Sequence, residues 1–355
     1  MQSARRPYSV LIGAGVLGQA DALLAAADLR VPAVVVTSTP IWQLHGDRLR
    51  AVAGADGATV MPDGERAKTL RTVAGLYDAF ASRGVDRGAT IVAFGGGVVG
   101  DVAGFAAATY LRGVAYVQAP TTLLAQVDSA IGGKVGVNLP AGKNLAGAFH
   151  PPALVLADPD VLGTLPRREF RAGMYEVVKY GAIASRNLFE RVSRSLPELM
   201  SRKPAALEPV VAECCRIKAE VVGRDEYERG PRRILNFGHT VGHALEAVTK
   251  YRRFRHGEAV GYGMLAAAHL SATRGLMPSE DHAWLLEVIR RLGPLPGVGD
   301  LKIGDVIDAT TRDKKRVAGT LHFVLSAGIG RTEIVQDVTP PELTAALTAI
   351  GLAEH

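Results

Sequence analysis

From residue 8 to about 165, short β-branched runs alternate with helical patterns, and that alternation restricts the fold more than any other feature. The runs are YSVLI at 8–12, AVVV at 33–36, ATIVAF at 89–94, YVQAP at 116–120 and ALVLAD at 153–158. Helical patterns follow at 16–28, after residue 36 and at 99–110. Such alternation predicts a largely parallel sheet covered by helices. Beyond about 170 the period changes to long helical segments at 169–184, 205–223, 237–249, 257–274 and 279–292, punctuated by Pro and Gly. The boundary is expected within 165–172, with a cleft between the halves as the natural ligand site.

Composition excludes several classes. The net charge is +6, yet basic residues come in nothing longer than Arg5-Arg6, Arg232-Arg233 and Lys314-Lys315-Arg316, with no interleaved aromatics. A small anionic substrate therefore accounts for the surplus as well as nucleic acid does. The two cysteines, Cys214 and Cys215, are adjacent, which disfavours a disulfide and suggests a reducing, cytoplasmic chain. Gly13, Gly15 and Gly18 break the first apolar stretch, so strand-turn-helix is a better reading of it than a signal peptide. No apolar run reaches the roughly 18 residues of a membrane span.

Two glycine clusters compete as a dinucleotide site. Gly13-Ala14-Gly15-Val16-Leu17-Gly18 has the GxGxxG form after a strand, but the second strand runs into Thr37-Ser38-Thr39 rather than a ribose-binding acid. A plain tight turn is the bland reading there. Gly95-Gly96-Gly97 ends ATIVAF and leads through Val98-Val99-Gly100-Asp101 into a helix, where bare backbone and a helix N-terminus suit a pyrophosphate.

Between 112 and 144 lie Arg112, Thr121-Thr122, Asp128, Gly132-Gly133-Lys134 and Lys143-Asn144. Singly each reads as surface; together in an apolar stretch they suit a phosphate. Glu176 and Lys179, three apart, share one helix face; His239 and His243, four apart, share another; His256 follows. A carboxylate with two imidazoles makes a catalytic zinc set. Spacing alone nominates His239 and His243 as the histidine pair.

These stretches, in this order, resemble the 3-dehydroquinate synthase family over about residues 60–330. The likeness is carried by DGERAK at 63–68, GGGVVGDVAGFAAATYLRG at 95–113, PTTLLAQVDSAIGGKVGVNLPAGKN at 120–144, GMYEVVKYG at 173–181, RRILNFGHTVGHALE at 232–246 and HGEAVGYGM at 256–264. The resemblance implies a Rossmann-like NAD-binding α/β domain over 1–170, a mostly α-helical metal- and substrate-binding domain over 171–355, and a homodimer. NAD would contact Asp63, Gly64, Glu65, Arg66, Ala67 and Lys68, the turn Gly97, Val98, Val99, Gly100 and Asp101, then Thr121, Thr122, Lys134, Lys143 and the segment Val161, Leu162, Gly163 and Thr164. Zinc, with Co2+ as a substitute, would be held by Glu176, His239 and His256. That implication displaces the spacing argument, because His243 would then face the substrate phosphate. Asp128, Lys134, Asn144, Lys179, Lys218, Arg232, Asn236, His243 and one of Lys314 or Lys315 would surround the substrate, with Arg112 reaching in from the partner subunit. The chain departs from many relatives at Thr37-Ser38, where an Asp or Asn would meet the adenosine ribose.

The implied reaction makes 3-dehydroquinate and phosphate from 3-deoxy-D-arabino-heptulosonate 7-phosphate, a phosphate-eliminating lyase step of the shikimate pathway. NAD oxidises a ring hydroxyl polarised by zinc, and the new ketone acidifies its neighbour so that phosphate leaves. Hydride then returns, the ring opens and an aldol step closes the carbocycle. Rival readings are a cyclase acting on sedoheptulose 7-phosphate or glucose 6-phosphate, and a metal-dependent polyol dehydrogenase that releases NADH.

Overall fold

In the computed structural model, residues 7–228, 230–316 and 322–354 are described, without the side chains of 312–316. Arg5, Arg6 and the side chains of Lys314 and Lys315 lie outside the described residues. The chain divides into two compact units, one running to Pro166 and including Arg202–Ala219, the other made of Arg167–Ser201 with the chain from Glu220 onward. The long helix Pro204–Arg224 thus gives most of its length to the first unit.

Strands β1 (Ser9–Ile12), β2 (Val34–Ser38), β3 (Thr59–Met61), β4 (Thr90–Gly95), β5 (Ala115–Pro120) and β8 (Leu154–Ala157) form one sheet in the order β1-β8-β5-β4-β2-β3. Every pairing in it is parallel. Between β5 and β8 the chain adds an antiparallel hairpin, β6 (Lys134–Leu139) with β7 (Gly142–Phe149). The continuous apolar run of β4 follows from helices on both faces. Ile91 and Ala93 pack with Leu76, Phe80 and Val102, while Val92 and Phe94 pack on the opposite face with Leu17, Leu24 and Leu49. Burial of a side chain such as Phe94 is worth about 1.5–3 kcal/mol, so neither face of β4 tolerates a polar replacement.

The strand order fixes where a ligand binds. From β2 the chain proceeds outward to β3; from β4 it proceeds the other way, through β5 to β8. That reversal makes the carboxyl ends of β2 and β4 the switch point, the position at which open α/β sheets take ligands. Ser38 stands at one end and Gly95 at the other, with Gly96 and Gly97 beyond it.

The second unit is built from helices Arg167–Ala184, Arg186–Arg194, His239–Val248, His256–Thr273, Ser279–Arg291, Ile303–Arg316 and Pro340–Ala349. It also contains a hairpin, β9 (Phe323–Ser326) with β10 (Thr332–Val335), that the helical reading of this half did not anticipate. Phe323 and Leu325 join Ala266, Leu270 and Leu347 in one core, and the Ser326 amide donates to the Ser271 hydroxyl at 2.9 Å. Among the described residues, no helix is long and apolar enough to cross a membrane.

Candidate functional site

In the second unit, the helix Arg167–Ala184 is buried along nearly its whole length, and Glu176 and Lys179 face the same side of it. Glu176 is fully buried, and neither carboxylate oxygen makes a hydrogen bond among the described residues. Oε2 lies 2.5 Å from Lys179 Nζ, close enough for an ion pair though not aligned as a hydrogen bond. A buried carboxylate left with so little costs several kcal/mol. Oε1 lies 3.8 Å from His239 Nε2 and 3.7 Å from His256 Nε2. Ligands about 2.0–2.1 Å from a tetrahedral zinc stand about 3.3 Å apart, so a small inward movement of these three atoms would seat the ion.

The far nitrogens of both rings are spoken for. His239 Nδ1 donates to the Phe237 carbonyl at 3.2 Å, and a carbonyl oxygen only accepts. His256 Nδ1 donates to Glu246 Oε2 at 3.2 Å. Both hydrogen bonds leave Nε2 with its lone pair free to bind metal. Burial, reinforced by the Lys179 charge, holds His239 well below the ordinary imidazole value, so it is neutral as a ligand must be. Burial also pulls on His256, but its hydrogen bond to Glu246 and the charges of Glu246 and Glu176 prevail and raise it. His243 is exposed, with its ring 5.3 Å from that of His239 and 5.7 Å from that of His256. Ligand atoms of the three histidines all lie within 4.8 Å of one another. The fold thus gathers all four metal candidates, and the orphaned carboxylate fits a divalent cation.

Glycines bring these elements together. A Cβ on Gly257 would sit far inside contact with the Ala172 carbonyl, and one on Gly263 with the Gly238 carbonyl. Gly238 itself has φ of 78°, and a Cβ there would lie 2.8 Å from Met264 N and Val260 O. Backbone contacts this close set His256 beside His239, and both beside Glu176.

Elsewhere in this unit, the buried Arg232 donates through Nη1 to the Glu226 carbonyl at 2.6 Å, and Asn236 Nδ2 donates to Glu228 Oε1 at 2.7 Å. Glu228 has φ of 57°, a left-handed backbone that is costly for this residue type and typical of functional turns.

In the first unit, the two glycine clusters separate. The amides of Gly15 and Leu17 donate to the fully buried Asp158 carboxylate at 3.0 and 3.3 Å. Asp158 therefore occupies the turn where a pyrophosphate would sit, and the bland reading holds for the first cluster. At the second, Gly96 caps the helix Gly97–Thr109 without any side-chain hydrogen bond, leaving first-turn amides for an anion. Gly95 and Gly97 also serve packing, since a Cβ on them would crowd Val99 and Ser129 respectively. The buried hydroxyls of Thr37, Ser38 and Thr121 have no hydrogen-bond partner among the described residues. Orphaned donors at the carboxyl ends of β2 and β5 fit a polar ligand such as a dinucleotide.

The segment Asp63–Lys68 is tied to that helix, because the buried Lys68 pairs with Asp101 Oδ2. Burial raises Asp101, and the Lys68 charge works against the rise. The segment Val161–Thr164 lies in a short 3-10 helix. Arg202 Nη1 donates to the carbonyls of Leu162, Gly163 and Leu165, and Thr164 Oγ1 lies 2.7 Å from His45 Nε2.

Asp128 lies on a π-helical turn, Ala125–Ser129, where Lys218 Nζ approaches both its carbonyl and its Oδ1 at 2.5 Å. Thr122 is half-buried, Lys134 is exposed at the start of β6, and Lys143 and Asn144 lie in β7, Asn144 with φ of 55°. Arg112 is exposed at φ of 68°, after Leu111 at 50°. Sequence reasoning passed over Glu246, Glu228 and Arg202. Glu246 was findable in principle, seven residues and two turns from His239 on one helix face.

Two family models match in succession, that of the 3-dehydroquinate synthase N-terminal region over residues 58–172 and that of its C-terminal region over 173–316. The 3-dehydroquinate synthase of Solibacter usitatus is 43% identical over 343 residues, 96% of each chain. Among solved structures, a 2-epi-5-epi-valiolone synthase from Streptomyces hygroscopicus subsp. jinggangensis, with NAD+ and Zn2+ bound, is similar with a TM-score of 0.88 and 31% identity, covering 99% of this chain and 98% of its own. A 2-deoxy-scyllo-inosose synthase complexed with carbaglucose-6-phosphate, NAD+ and Co2+ is similar with a TM-score of 0.86 and 28% identity, covering 97% of each.

Proposed function

The chain belongs to the 3-dehydroquinate synthase family, and we propose that it converts 3-deoxy-D-arabino-heptulosonate 7-phosphate to 3-dehydroquinate and phosphate as a cytoplasmic homodimer of the shikimate pathway. The observation that carries the reading is Glu176, buried without a hydrogen bond among the described residues and 3.7–3.8 Å from two imidazole nitrogens already oriented toward it. Identity of 43% to a curated synthase, against 31% and 28% to cyclases of other products, favours the sugar acid over other sugar phosphates.

Glu176, His239 and His256 would hold zinc or, as a substitute, Co2+. NAD would meet the 63–68 segment, the Gly97–Asp101 turn, Thr121, Thr122, Lys134, Lys143 and Val161–Thr164. When bound, NAD supplies a transient hydride acceptor and the metal a Lewis acid for the hydroxyl being oxidised. Lys179, a cation beside Glu176 Oε2, presents N–H donors to substrate. Lys218, Arg232 and Asn236 suit the substrate carboxylate. Asp128 anchors Lys218 through two contacts, which fixes the ammonium in one place rather than leaving it a mobile surface charge. Lys134, Asn144, His243 and Arg112 of the partner subunit suit the phosphate.

Metal-loaded protein given NAD and the heptulosonate phosphate should release one phosphate per substrate consumed, with no build-up of NADH absorbance. Stoichiometric NADH would replace this reading with a dehydrogenase. Phosphate release confined to sedoheptulose 7-phosphate or glucose 6-phosphate would replace it with another cyclase. The dimer has its own test, because Arg112 is exposed and assigned to the neighbouring subunit's site. Mixing Arg112→Ala subunits with Lys179→Ala subunits should restore roughly a quarter of the parent activity: half the dimers are mixed, and each mixed dimer has one intact site. No recovery after demonstrated subunit exchange would assign Arg112 to its own chain.

A further inference from the structure

We infer that Glu246, outside the ligand set, is a positioning residue of the metal centre: its carboxylate fixes the tautomer and rotation of His256. The inference rests on the zinc reading above. Glu246 lies on the helix His239–Val248, seven residues beyond His239, and is buried. Its Oε2 accepts from His256 Nδ1 at 3.2 Å while His256 Nε2 lies 3.7 Å from Glu176 Oε1. The imidazole therefore spans two carboxylates, one on each edge.

The two ligand histidines differ in what sets their rings. His239 Nδ1 donates to the backbone carbonyl of Phe237, an acceptor that no substitution removes. The acceptor for His256 is a side chain. His256 is also the first residue of its helix, His256–Thr273. With the Glu246 carboxylate gone, no other acceptor among the described residues obliges Nδ1 to carry the proton, and the ring can present an N–H to the metal position. Outer-shell carboxylates of this kind also raise the donor strength of the ligating nitrogen, and their loss typically weakens metal binding about 10–100-fold. A bland alternative makes Glu246 a mere tie between two helices, in which case its loss lowers stability and leaves metal affinity alone.

The experiment compares the parent with Glu246→Met, which fills similar volume without accepting, and Glu246→Gln, whose amide oxygen still accepts. Zinc dissociation constants come from competition with a chromophoric chelator, melting temperatures from the metal-free proteins, and the His256 tautomer from long-range proton–nitrogen spectra at a pH where the ring is neutral. The parent should show the proton on Nδ1 of His256. Glu246→Met should bind zinc about 10–100-fold more weakly and lose that tautomer preference, while Glu246→Gln keeps the tautomer and most of the affinity. An Nε2–H tautomer in the metal-free parent would overturn the inference even if no variant folds. So would unchanged zinc affinity in Glu246→Met, whatever its melting temperature. A parent that binds no zinc yet shows the Nδ1–H tautomer would sink the metal reading instead.

Discussion

His256→Ala should purify with most of its zinc lost, and His243→Ala should keep it. His256 Nε2 and His239 Nε2 both point toward Glu176 Oε1, at 3.7 and 3.8 Å, with their Nδ1 atoms already engaged. Removing one of three protein ligands leaves two, which hold zinc poorly. The loss of affinity should exceed the roughly 10–100-fold that an outer-shell partner costs, and turnover should fall with it. His243→Ala should retain metal yet turn over about 10–100-fold more slowly, because a hydrogen bond to a charged phosphate is worth about 1.5–3 kcal/mol. Helix spacing alone predicts the reverse, since His239 and His243 are one turn apart. A metal-free His243→Ala beside a zinc-replete His256→Ala, both folded, would establish that pairing and discard the present assignment.

Much of the sheet is legible in the sequence because β4 and its neighbours are buried on both faces and read as unbroken apolar runs. β3 is not, since three residues, Thr59–Met61, fall below any periodic signal. The β6–β7 hairpin is hidden for a different reason. Gly136 and Gly147 press backbone against backbone across it, so an added Cβ would collide with the Ala146 or Val135 carbonyl, and these positions carry no side chain to mark the alternation. The β9–β10 hairpin hides among helices because β10, Thr332–Val335, is partly exposed and carries no continuous apolar run.

At the site, the same limit appears as a matter of range. Glu176 and Lys179 are readable as a pair because a helix sets their relation locally. The two glycine clusters look alike in sequence, and what separates them is Asp158, which donates nothing to the local pattern yet takes the amides of Gly15 and Leu17 from 141 to 143 positions away. Glu246 shares a helix face with His239 but carries no mark of its role in the sequence. Its relation to His256 depends on which ring nitrogen faces it, and only a folded backbone determines that.

Gly263→Ala should be among the most damaging single-methyl additions in the chain, and should act on the metal centre without touching a ligand. The added Cβ would overlap the Gly238 carbonyl far inside van der Waals contact. Because the obstacle is backbone, no rotamer change relieves it; the helix His256–Thr273 must lift away from the residue that precedes His239. Overpacking commonly costs about 1–3 kcal/mol where side chains can yield, and a forced separation of two packed backbones belongs at the upper end of single-site effects, on the order of 4–5 kcal/mol. His256 is two turns up the same helix, so lifting it also draws His256 from His239, whereas a bound metal holds its ligand atoms within about 0.2 Å of fixed distances. Gly304→Ala is the matched control: it is exposed, near the start of the helix Ile303–Arg316, and a Cβ there meets nothing within 4 Å. That change should be neutral or stabilise by up to about 1 kcal/mol. Chemical denaturation of both metal-free variants, followed by zinc titration, measures the two effects separately. A Gly263→Ala protein as stable and as metal-avid as the parent would mean that the two helices do not meet at this register, and that glycine contact is not what assembles the site.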